Sequence, residues 1–205
     1  MTFGLVKHNN NSISAITTPG SLAQGKMTLL QTQTASSSSS ISFTSNIDST
    51  YPIYVFKHIN IHANTNQTHY TFNGSTDSGS NYNVTKTTTV FQAYHWENDS
   101  DQALQYNGSN DLAQSTSFQR FTSGDSLSSS SDSNLNSIFY LFNPSSTTFV
   151  KHFMLTNQFD TYESISLNNY VSGYFNTTSA INAVQFKMES GNFNGTIKLY
   201  GIKGS

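Results

Sequence analysis

The chain has no cysteine, which excludes disulfides, thiolate metal sites and cysteine nucleophiles, so the fold must stand on packing alone. Charge is also scarce: nine Lys plus Arg and eleven Asp plus Glu make only 10% of 205 residues charged, with a formal net charge of −2. The basic residues are scattered singly and give no footprint for a phosphate backbone or an anionic bilayer, so nucleic-acid binding is not expected. No apolar run approaches the ~18 residues that span a bilayer. Met1 to Asn11 lacks a basic segment followed by an apolar one, so neither membrane insertion nor export by a signal peptide is expected. Catalytic patterns are missing as well. Glutamate occurs only at 97, 163 and 189, and there is no Gly-x-Ser-x-Gly elbow, Walker loop or Gly-rich dinucleotide turn. The expectation is a non-enzyme with no catalytic residue and no cofactor.

What the chain does have is neutral polarity and aromatic rings. Only 35% of residues are hydrophobic, yet 13% are aromatic, and most of the balance is Ser, Thr, Asn and Gln. Disorder normally combines low hydrophobicity with high net charge and few rings, so this composition reads instead as folded, neutral and β-rich.

Residues 1–50 are the least hydrophobic part and read as a polar N-terminal arm with short strands at Ser12 to Thr17 and Lys26 to Thr34. The serine run Ser36 to Ser40 reads as a solvated loop or a linker to the main domain. Residues 51–205 read as that domain. Alternation with β-branched enrichment from Ile53 to His62 gives a strand whose first half is apolar on both faces. Further strands are expected at Thr68 to Asn73, Asn83 to Trp96, Ile138 to Phe142, Thr147 to Leu155, Tyr162 to Phe175, Ala180 to Met188 and Thr196 to Ile202. Between Glu97 and Asn136 lies a polar stretch too long for an ordinary connection. No capped amphipathic helix appears. The fold class is therefore all-β, an antiparallel β-sandwich, with a jelly roll suiting the strand count.

Three groups bear on binding. Tyr94-His95-Trp96, at a strand end beside the long stretch, is a candidate glycan platform, since rings and amides are what sugar recognition uses; the competing reading makes Trp96 a core anchor. Glu97, Asp99 and Asp101 alternate in a way that can aim oxygens at calcium, although the glycine and final glutamate of an EF-hand loop are missing. His58 and His62 share one face of the expected strand, about 13 Å apart at ~3.3 Å per residue, too far to ligate one metal.

Two segments give the chain a likeness. Leu141-Phe142-Asn143-Pro144-Ser145-Ser146, continuing to Phe153, and the C-terminal stretches Gly173 to Thr178, Val184 to Met188, Ser190 to Phe193 and Gly195 to Ile202 resemble tailed-phage virion structural proteins of the marine cyanophage type. The likeness implies a jelly-roll capsid decoration or accessory protein, located in the virion and assembled in the host cytoplasm. It also implies contacts with the major capsid protein or tail proteins and self-association as a homo-oligomer, most simply a trimer. A tail-associated receptor-binding or fibre module that recognises host surface polysaccharide is the alternative. Fold likeness alone does not settle function.

Overall fold

The structure, a computed structural model, describes residues 27–203. Among them are twelve strands and no helix: β1 (Met27–Ser38), β2 (Ser40–Phe43), β3 (Ile53–Ala63), β4 (Tyr70–Ser75), β5 (Lys86–Trp96), β6 (Gln102–Tyr106), β7 (Gln119–Arg120), β8 (Leu135–Phe142), β9 (Lys151–Asp160), β10 (Ile165–Phe175), β11 (Ala183–Met188) and β12 (Phe193–Ile202). Eight of them pair as one long hairpin rolled on itself, β1 with β12, β2 with β11, β3 with β8 and β4 with β7, all antiparallel. The roll puts β1, β12, β3 and β8 in one sheet and β2, β11, β4 and β7 in the other, which is the jelly-roll arrangement. Two inserted hairpins, β5–β6 and β9–β10, then extend the first sheet past β8 in the order β9-β10-β5-β6. The sandwich is therefore unequal, eight strands against four.

Alternation sets the core. Along β8, Leu135, Ser137, Phe139 and Leu141 are buried, and along β9 Lys151, Phe153, Leu155, Asn157 and Phe159 are, because successive side chains leave a strand on opposite faces. Phe72 on the narrow sheet meets Phe139, Phe153 and Phe121 at centroid distances of 4.8, 5.2 and 5.4 Å, tilted by 57°, 86° and 83°. Tilted and edge-on packing suits ring quadrupoles, and each fully buried ring contributes roughly 1.5–3 kcal/mol by leaving water.

Four strands cannot cover eight. The stretch between β6 and β8 supplies the missing layer by folding under β5, β9 and β10, with Phe121 and Leu127 fully buried. Its backbone meets that sheet only at isolated points, such as the Lys86–Ser115 bridge and the Thr88 N–H donated to the Leu112 carbonyl, and elsewhere side chains pair it. Asn157 and Asn169 both donate Nδ2 to the Phe121 carbonyl, at 2.8 and 3.2 Å, and Leu112 donates its N–H to Thr88 Oγ1 at 2.8 Å. The long loop expected over Glu97 to Asn136 is thus an ordered cover that also contains β6 and β7. The polar residues on the inner faces of β5, β9 and β10 have this physical use.

The N-terminal arm expected over residues 1–50 divides differently. From Met27 onward the chain is part of the sandwich: β1 pairs along β12, and Phe43 and Ile47 sit in the core. The expected Ser12–Thr17 strand lies outside the described residues. The serine run is neither a loop nor a linker but the corner at which the chain leaves one sheet for the other. Ser37 adopts φ 49°, Asn194 Oδ1 accepts its N–H at 2.8 Å, and Asn64 donates to its hydroxyl at 3.0 Å. Small hydroxylated side chains let a strand turn sharply while pairing the freed backbone groups.

A second correction concerns the histidines. Asn60 sits at φ 51° in a bulge where β3 shifts register against both neighbours, facing Gly195 (φ 134°) on β12. A Cβ on Gly195 would come within 2.7 Å of the Asn60 carbonyl, so glycine is required there. The bulge breaks the alternation. His58 consequently points into the core, whereas His62 is half-buried on the other face and bonds the Ser133 carbonyl at 2.8 Å.

Candidate functional site

The outer face of the eight-stranded sheet is built by the residues that alternate with the core. Register places Tyr106, Phe91, Tyr170, Thr156 and Ile138 in one row from β6 to β8. The next row runs Ser172, Met154, Tyr140, Val55, Tyr200 and Leu29 from β10 to β1. Towards the other end, Asn168, Gln158 and Asn136 form a row of amides. Among the described residues, seven of the nine large apolar side chains that are well exposed lie on this face: Leu29, Ile59, Phe91, Leu104, Tyr106, Met154 and Tyr170. So one-sided a distribution marks a working surface, because scattered exposed apolar residues are ordinary and contiguous ones are not.

Ring geometry differs here from the core. Phe91 and Tyr170, cross-strand partners, stack at 4.8 Å with planes 7° apart, and Tyr140 and Phe142 lie 13° from parallel at 6.3 Å. Tyr140 and Tyr200 flank Val55 on its two neighbouring strands, and Val55 is completely buried although it faces outward. Lys57 Nζ lies over the Tyr200 ring at 5.3 Å.

Between these walls a groove follows β9. Its floor is His152, Met154, Thr156 and Gln158; β8 contributes one wall and β10 the other. Three open depressions of about 390, 430 and 500 Å³ compose it. They share residues, Thr156 joining the first pair and Met154 the second, so the groove is continuous. Six residues of strand make it roughly 20 Å long, and two strand spacings set its walls about 10 Å apart. Its amides are pre-positioned: Asn168 Nδ2 donates to the Asn157 carbonyl at 2.8 Å and Gln158 Nε2 to Ser166 Oγ at 3.0 Å. Among the described residues no donor reaches the Asn168 Oδ1 or the Gln158 Oε1. Among the described residues, Lys57 is the one permanently charged residue lining the groove.

The residues singled out from sequence lie elsewhere, at the β5–β6 hairpin. The pleat of β5 divides Tyr94-His95-Trp96: Tyr94 is half-buried against the core with Trp96 on its side, and His95 is exposed on the opposite face. Trp96 is half-buried and does not join the core cluster. Glu97, Asp99 and Asp101 form the hairpin turn, with Asp99 at φ 59°. Asp101 accepts from the Tyr94 hydroxyl at 2.9 Å, which raises the tyrosine pKa, and Asp99 bonds His95 Nε2 at 3.0 Å. The structure thus gives two of the three carboxylates side-chain partners of their own, and no trio of His, Asp or Glu converges on a metal-sized space among the described residues. Sequence reasoning missed Phe91, Tyr140, Phe142, Met154 and Tyr170. One signal pointed to them: Ile138 to Phe142 is apolar at every position, the same two-faced pattern noted at Ile53 to Phe56.

No family model and no curated protein matches the chain. Among solved structures, a crystal structure of a structural-genomics protein of unknown function from Bacteroides ovatus is similar over 51% of this chain and 45% of that one, less than half its length, with TM-score 0.28 and 8% identity. A likeness that slight carries no functional weight.

Proposed function

We propose that the protein is a non-catalytic structural component of a tailed-phage particle, a capsid decoration or accessory protein that works through contact area. The supporting observation is at the borders of the wide sheet. Among the described residues its two edge strands are β1 and β6, and they carry Leu29 and Leu104, 51% and 73% exposed, on the same outer face. Unpaired strand edges with apolar side chains are templates for another chain. Joining the β1 edge of one copy to the β6 edge of the next is a heterologous contact, which closes into a trimer when successive copies are turned by a third of a revolution and otherwise runs on as a filament. Neutral Ser, Thr and Gln along β1 suit wet, hydrogen-bonded interfaces with other virion proteins.

Light scattering of the purified protein should give a multiple of the chain mass, and Leu29→Lys with Leu104→Lys should return it to a monomer with an unchanged melting point. Cryo-electron microscopy of particles from lysates that produce the chain should show the same oligomer on the head. A monomer at high concentration together with particles lacking this chain would end the reading. The groove along β9 favours a second reading, a tail-associated module that recognises host polysaccharide.

A further inference from the structure

The geometry points to a binding site for a neutral, linear polysaccharide in the groove along β9, held between Tyr170 and Tyr140. This deepens the polysaccharide reading and is independent of the edge contacts. Three features select the ligand. The groove is open, unbranched and parallel to a strand, a shape for an extended polymer rather than a compact small molecule. Lys57, at one end, is the only fixed charge in its lining among the described residues, so a polyanion would meet one countercharge over ~20 Å and a polycation none. The lining then offers what a sugar chain presents. Tyrosine, phenylalanine and methionine side chains suit the C–H faces, while Asn168 Oδ1, Gln158 Oε1, Thr156 and Ser172 suit the hydroxyl edges.

An extended peptide fits less well. Every strand under the groove has a bonded neighbour on both sides, so its backbone groups are used in the ladder. A peptide lying there would bury amides with few partners. A second copy is accommodated at the sheet edges without closing the groove.

The test is retardation in native gels containing dextran, glucomannan, arabinoxylan or laminarin, with alginate as an acidic arm, followed by titration of the polymer that retards. At least one neutral polymer should slow the protein, with little change between low and moderate salt. Tyr170→Ala and Tyr140→Ala should each weaken binding at least tenfold, whereas Tyr170→Phe and Trp96→Ala should bind as the parent does. Urea midpoints and backbone amide spectra verify that each variant is folded. Retardation by alginate alone would overturn the neutral ligand while leaving a polysaccharide role intact. Absence of retardation by any polymer overturns both. A Tyr170→Ala protein that loses self-association in sedimentation would make the groove a subunit contact and overturn the proposal too.

Discussion

Phe139 and Tyr140 are neighbours on one strand, yet one is sealed in a cluster of tilted rings and the other stands at the wall of an open groove. The same contrast runs along β9 and β10: inner Phe153, Asn157 and Asn169, outer Met154, Gln158 and Asn168. On the inner face Asn157 and Asn169 both give their Nδ2 groups to the cover's Phe121 carbonyl, while their buried Oδ1 atoms find no partner among the described residues. On the outer face polar groups are only fixed in place, with oxygens left over. Inside, most rings interlock at a tilt from two layers; outside, Phe91 with Tyr170 and Tyr140 with Phe142 lie nearly parallel.

Breaking the inner side costs most. Phe139→Ala should lose roughly 3–5 kcal/mol and lower the melting point by about 10 °C, whereas Tyr140→Ala should lose only about 1 kcal/mol through exposure of Val55. Urea denaturation of the two variants decides it, and equal losses would erase the distinction between the faces.

The next effect comes from buried ionisable groups. Lys86 is buried with its ammonium on the Val84 and Ser117 carbonyls, at 3.2 and 2.5 Å, and burial pushes its pKa from 10.5 down to about 7. Between those values the unfolded chain holds a proton that the folded chain has released. Stability should therefore rise with pH from about 7 to 10.5 and be lost on the way down. His58, edge-on to Phe186 at 4.6 Å with Nδ1 on the Tyr70 hydroxyl, is pushed by burial from 6.5 to about 3. It adds a second window in which stability falls as pH drops below 6.5. Each slope is at most about 1.4 kcal/mol per pH unit. Lys86→Met should flatten the upper window and His58→Phe the lower one, and urea midpoints measured against pH that keep both slopes in the variants would contradict this.

A modest effect, of the same order as that of Tyr140→Ala, is expected where the two faces meet, at the end of β5. Trp96 is half-buried and outside the core cluster, so Trp96→Ala should cost about 1–2 kcal/mol. A loss as large as that of Phe139→Ala would make it a core anchor after all.

Much of the fold was legible in the sequence. Alternation and turn residues located the strands around Ile53, Thr89, Phe139, Phe153, Val171, Phe186 and Leu199 to within a few residues, because period-2 burial is a local property. The serine corner was misread since composition cannot distinguish a solvated loop from a bend tied down by Asn64 and Asn194, more than twenty and 150 residues away. β7, two residues long, has no local signature at all.

The site was less legible. Tyr94, His95 and Trp96 stood out because they are adjacent in sequence, but adjacent residues on a strand face apart. Phe91, Tyr140 and Tyr170 come together from three strands, through a register that no single segment encodes.

Sequence by itself determined the all-β character, the neutral surface, the absence of thiol chemistry and which residues alternate, since these follow from composition and backbone period. Tertiary structure alone decided that the sandwich is eight strands against four, that a polar stretch covers the surplus, and that a groove follows β9. Each of those depends on which strand lies beside which, and pairing between distant segments is set by the global packing of both sheets rather than by the residues of either strand.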